Sequence, residues 1–89
     1  MVEKAVARKV KGGKLVKVMV KSEGGVIEDV KISGDFFAYP EEGVEEIEKE
    51  LRGATIENVR SAVESATGGI RLVGLSSEDL VEMVEKCLE

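Results

Sequence analysis

Two Gly-Gly pairs, Gly12-Gly13 and Gly24-Gly25, constrain the fold of this chain more than any other feature. Each pair separates two β-like runs, and adjacent residues free to take positive φ are what a tight hairpin requires. Glu3 to Val10 alternates loosely before Lys11-Gly12-Gly13-Lys14. Lys14 to Ser22 alternates cleanly, with Val16, Val18 and Val20 on one face and Leu15, Lys17, Met19 and Lys21 on the other. After Glu23-Gly24-Gly25, the run Val26 to Ile32 places Val26, Val30 and Ile32 on one face and Ile27, Asp29 and Lys31 on the other. The expected result is a three-stranded antiparallel meander whose apolar face needs a cover.

The second half supplies that cover. Pro40 with Glu41 and Glu42 marks a helix start, because proline lacks only an orphan donor there and the carboxylates oppose the helix dipole. Val44, Ile47, Glu48 and Leu51 recur on one side, and Gly53 sits where a C-terminal cap belongs. Thr55 is placed to cap a second helix with an Ile56, Val59, Val63 and Ala66 stripe, ended by Gly68-Gly69. Ile70 to Val73 reads either as a short fourth strand or as a buried connection. Ser76 and Asp79 resemble a capping box, with Leu75 and Leu80 as its hydrophobic staple. Leu80, Val84, Cys87 and Leu88 then carry the buried side of a third helix. The predicted class is α+β: a three-stranded antiparallel meander, then about three helices packed on one face.

Composition narrows the function. With 89 residues there is room for a single domain, spanning 1–89. The chain has no His and one Cys, so His- or Cys-based metal sites and Ser–His or Cys–His nucleophile pairs cannot be assembled from it. One Cys cannot form an internal disulfide. No apolar stretch is long enough for a membrane span and no signal-peptide pattern opens the chain, so a soluble cytoplasmic protein is expected. Charge is uneven: residues 1–33 carry a net of +4 and residues 34–89 a net of −9, within an overall −5. Nucleic-acid binding is disfavoured by the negative total and by the lack of aromatics among the basic residues. The glutamates Glu45, Glu46, Glu48 and Glu50 read as a helix face, Cys87 as a buried thiol, and no acid–base pair stands out.

One segment concentrates what remains. All three aromatic residues lie in Gly34-Asp35-Phe36-Phe37-Ala38-Tyr39-Pro40, at the exit of the third strand. Aromatics bury the largest areas of any side chains, so this segment should dominate either the core or an interface. Gly34 permits a special backbone geometry, and Asp35 can accept hydrogen bonds that fix a turn. In extended chain Phe36 and Phe37 point to opposite sides, so one can enter the core while the other stays outside; which does which is left open.

Lys11-Gly12-Gly13-Lys14-Leu15-Val16, Gly24-Gly25-Val26-Ile27, Ile32-Ser33-Gly34-Asp35-Phe36-Phe37 and Pro40-Glu41-Glu42, taken in order, resemble the C-terminal accessory domain of lipoate–protein ligases. Leu51-Arg52-Gly53 and Val73-Gly74-Leu75-Ser76-Ser77-Glu78-Asp79-Leu80 extend the resemblance over nearly the whole chain. A chain of this kind beginning at Met1 resembles the archaeal-type arrangement, in which a separate small subunit complements a large catalytic one. The resemblance implies a non-catalytic accessory subunit, needed for ATP-dependent activation of lipoate to lipoyl-adenylate and hence for protein lipoylation. It implies no catalytic residue and no cofactor bound by this chain alone, with ATP, Mg and lipoate held by the catalytic subunit. The partners it implies are that subunit and, indirectly, a lipoyl acceptor domain. Asp35, Phe36, Phe37 and Tyr39 are the candidate partner interface, Lys17 and Lys21 weaker candidates for partner or phosphate-side contacts, and Gly34, Pro40 and Gly53 structural positions. The alternative is a small protein-binding module for an unrelated enzyme or carrier, since fold does not fix function; a free-standing small enzyme is a further rival.

Overall fold

The computed structural model describes residues 1–10, 12 and 14–89. Strands β1 (Val2–Lys9), β2 (Leu15–Glu23) and β3 (Val26–Gly34) pair antiparallel in the order β1-β2-β3. The first turn lies partly outside the described residues, at Lys11 and Gly13; at its base Val10 N–H donates to the Lys14 carbonyl at 2.8 Å, and Gly12 has φ +90°. In the second turn Gly24 and Gly25 have φ of +59° and +82°, the region that excludes most side chains. The α+β class and the meander are as the sequence pattern predicts.

The alternation of β3 departs from that pattern. The register with β2 shifts between Lys21 and Ser22: Lys21 faces Asp29, but Ser22 faces Ile27, which leaves Glu28 without a partner. This β-bulge moves every residue before Glu28 to the opposite face. Ile27 is therefore buried beside Val30 and Ile32, and Val26 is exposed, the reverse of simple alternation. Burying an isoleucine in place of a valine at a strand end favours the bulged register, at about 0.8 kcal/mol for the extra buried methylene.

The inner face of the sheet, Val16, Val18, Val20, Ile27, Val30 and Ile32, is covered by α1 (Gly43–Leu51) against β3 and α3 (Ser77–Leu88) against β1 and β2. Helix α2 (Val59–Thr67) packs on α1 and α3, burying Val59 and Val63. Because α3 lies between the sheet and α2, it is buried over a wider arc than its predicted stripe, adding Val81 and Met83 to Leu80, Val84 and Cys87. Burial pushes the Cys87 thiol above its ordinary pKa, with nearby Lys4 opposing to a lesser degree. Ser76 caps α3: its hydroxyl oxygen accepts from Asp79 N–H at 3.0 Å, and Leu75 and Leu80 are both buried as a staple requires.

Two expected helix starts shift. Pro40 is not in the first turn of α1. It follows a cis peptide with Tyr39, and its carbonyl accepts from Gly43 N–H at 2.9 Å in a turn that precedes the helix. At Gly43, the first residue of α1, a Cβ would stand 2.8 Å from Ile70 Cγ2, so glycine lets this helix end sit close against Ile70. The N-cap of α2 is Asn58, not Thr55; Thr55 instead builds the preceding turn, its carbonyl accepting from Asn58 N–H at 2.9 Å. Ile56 lies in that turn and is exposed rather than part of the stripe. Gly53 does follow the end of α1 with φ +88°, and its N–H donates to the Ile27 carbonyl at 2.8 Å.

Candidate docking site

Beyond the meander the chain makes a second, two-stranded sheet that alternation did not suggest in full. Strand β4 (Phe37–Tyr39) pairs antiparallel with β5 (Arg71–Val73), which settles the run Ile70 to Val73 as a short strand rather than a buried connection. Phe37 faces Val73, Ala38 faces Leu72 and Tyr39 faces Arg71. Opposed residues share a face, so Phe37, Tyr39, Arg71 and Val73 lie together on one side, and Ala38 and Leu72 on the other. Ala38 and Leu72 turn toward the core; the Phe37 side is open, with Phe37 63% and Tyr39 56% exposed.

Two glycines lock this ribbon to the meander. Gly34 has φ +141°, and a Cβ there would collide with the Leu15 carbonyl and stand 2.8 Å from Val16 Cα. That close approach lets Asp35 N–H donate to the Leu15 carbonyl at 3.0 Å. Gly74, with φ +88°, presses against Asp35 and Phe36; its Cβ would meet the Asp35 carbonyl at 3.3 Å. Phe36 is half-buried against the core cluster. The choice between the two phenylalanines is thereby resolved: Phe36 anchors the corner and Phe37 is presented outward. An exposed aromatic on a pinned backbone loses little freedom when it is covered, which favours binding.

The lysines separate. Lys17 is exposed on the outer face of β2, between Ala7 and Ser33, at the end of the meander that joins the ribbon. Lys21 lies four residues away, roughly 13 Å along the strand, and pairs with Glu3 at 3.8 Å. Asp35 is exposed at the corner itself. Sequence reasoning missed Leu15 and Val73, both substantially exposed, and Arg71; the alternating Arg71-Leu72-Val73 was the available signal, but nothing in it named β4 as partner. Among the described residues no group of three or more metal-ligating side chains comes together, and no helix is long and apolar enough to cross a membrane.

Residues 3–84 match the family model described as the bacterial lipoate protein ligase C-terminus. The chain is 35% identical over 69 residues to lipoate-protein ligase A subunit 2 of Thermoplasma acidophilum, covering 76% of this chain and 73% of that protein. It superposes with a TM-score of 0.83 and 29% identity on a chain from the solved structure of an archaeal lipoylation system, a bi-partite lipoate protein ligase and its E2 lipoyl domain from the same organism. That superposition covers 99% of this chain and 96% of the other, so meander, ribbon and helices are all included. With the family model covering both sheets, α1, α2 and the greater part of α3, this chain belongs to the bacterial lipoate protein ligase C-terminus family.

Proposed function

We propose that this chain is the non-catalytic accessory subunit of a two-component lipoate–protein ligase and acts in the cytoplasm. The reading is carried by the outward ribbon of Phe37, Tyr39 and Val73 on a chain similar to subunit 2 of a bi-partite ligase. Its direct partner is a large catalytic subunit, and a lipoyl acceptor domain is its indirect one. ATP, Mg and lipoate are held by the large subunit, and this chain contributes no reacting group.

The physical rationale lies in the chemistry of activation. A lipoyl-adenylate is an acyl phosphate anhydride that water attacks readily. Forming it requires a closed site from which water is excluded. A second polypeptide docked across that site can supply closure and order the loops around it by contact alone. A rigid ribbon is suited to this task, because its backbone is already held and little ordering cost is added when its aromatics are covered.

The test is lipoate-dependent ATP–pyrophosphate exchange by the large subunit of the same organism, with and without this chain. The proposal expects exchange in the mixture and none from either component alone. Equal exchange by the large subunit without this chain would refute it, as would turnover by this chain on its own.

A further inference from the structure

The aromatic ribbon is too small to be the whole contact. Scaling the areas that aromatic side chains typically bury by their exposure, Phe37, Tyr39 and Val73 together offer on the order of 300 Å². A specific, stable interface takes about 800 Å² from each partner. The footprint must therefore extend beyond the ribbon, and the surface next to it has a definite character.

The ribbon meets the meander at the Leu15–Asp35 backbone hydrogen bond. On the meander side of that junction Leu15 is half-exposed, facing Lys9 across the strand pair. Lys14 and Lys17 flank Leu15 in sequence and are also exposed. On the ribbon side exposed Arg71 stands opposite Tyr39. Among the described residues, none of Lys9, Lys14, Lys17 and Arg71 lies within ion-pair distance of a carboxylate; Lys31, Lys49 and Lys86 share that state at scattered positions, whereas Arg8, Lys21, Arg52 and Arg60 are paired. Asp35 is an exposed carboxylate at the junction but forms no ion pair with any of them. In a chain with a net charge of −5, cations without a carboxylate partner thus border the exposed apolar residues Phe37, Tyr39, Val73 and Leu15. The opposite end of the same sheet face is different, with Lys21 against Glu3 and Arg52 against Asp29.

We propose that the ribbon and the Leu15 end of the meander form one continuous footprint, apolar at its centre and cationic at its rim, that binds an apolar patch bordered by carboxylates on the catalytic subunit. This rests on the accessory-subunit reading and adds the chemistry of the partner surface. The rim cations steer the encounter and reject surfaces of like charge, while the apolar centre holds the complex once formed.

Association of this chain with the large subunit should be measured at low and high salt for the wild type, Lys17→Glu, Arg71→Glu, Lys86→Glu and Phe37→Ala. Lys86→Glu makes the same change in net charge on the last turn of α3, away from the footprint. Lys17→Glu and Arg71→Glu should each weaken binding at least tenfold at low salt, with the loss shrinking at high salt. Lys86→Glu should stay within about twofold of wild type. Equal effects of the three charge reversals, or losses that do not respond to salt, would overturn the cationic rim. If Phe37→Ala weakens binding while Lys17→Glu and Arg71→Glu do not, the rim fails and the ribbon contact stands. If the wild-type chain does not bind the large subunit at all, both fail together.

Discussion

Phe36 and Phe37 are chemically identical neighbours with opposite jobs, and the difference comes from the backbone alone. Strand geometry turns one ring in and the other out, and Gly34 and Gly74 hold the strand so that neither can exchange. Phe37→Ala should leave the isolated chain's melting temperature within a few degrees of wild type while weakening association with the large subunit by roughly 2 kcal/mol, the scale of an interface hot spot. Phe36→Ala should do the opposite and destabilise the isolated chain by about 2–3 kcal/mol in urea denaturation, somewhat below the cost at a fully buried site because Phe36 is only half-buried. Gly34→Ala should cost on the order of 2 kcal/mol or more, since its Cβ meets the backbone of β2 and its φ of +141° is hostile to side chains. The position of Gly34 before the aromatics was legible in the sequence. The inward placement of Phe36 was not, because two like residues in alternation carry no label for inside and outside.

At the scale of elements, Glu48 shows how a polar residue on an apolar stripe can be structural. It falls in sequence with Val44, Ile47 and Leu51, and its carboxylate accepts from Ile32 N–H at 2.9 Å on the open edge of β3. Further along that edge Ile27 N–H donates to the Ala54 carbonyl at 2.9 Å. The outer edge of β3 is thus covered by α1 and the chain that follows it, which leaves it unavailable for pairing with another strand. Glu48→Ala should cost about 1–2 kcal/mol by leaving a partly buried N–H unsatisfied, checked by denaturant midpoint at unchanged m-value. The meander, the capped α3 and the Gly53 helix end could be read from turn chemistry and period. The bulge at Glu28 could not, because a single inserted residue leaves the local pattern intact and is set by what the register lets Ile27 bury. Strand β4 was hidden for a related reason: three residues are too short for period two to declare itself, and its partner lies more than thirty residues away.

For the whole molecule, the sheet and helix layers share one core, and the only thiol is inside it. Cys87 is 2% exposed, with its Sγ 3.9 Å from the Val18 carbonyl. Its pKa is raised in the folded state by burial, so the unfolded chain loses the thiol proton first as pH rises. The contribution of this group to stability is therefore complete below the ordinary thiol pKa of about 8.5 and declines above it. Native chain should resist a thiol reagent at pH 7.5 and react fully once denatured; rapid native labelling would contradict that placement. The same compactness holds the corner against the core, so under the proposed docking role binding through the ribbon need not reorganise this chain. The measurement closest to the central claim titrates the large subunit with this chain and reads lipoate-dependent pyrophosphate exchange, comparing wild type with Phe37→Ala. The account predicts the same plateau for both, with at least tenfold more Phe37→Ala needed to reach half of it; superimposable curves, or full exchange before any of this chain is added, would contradict it.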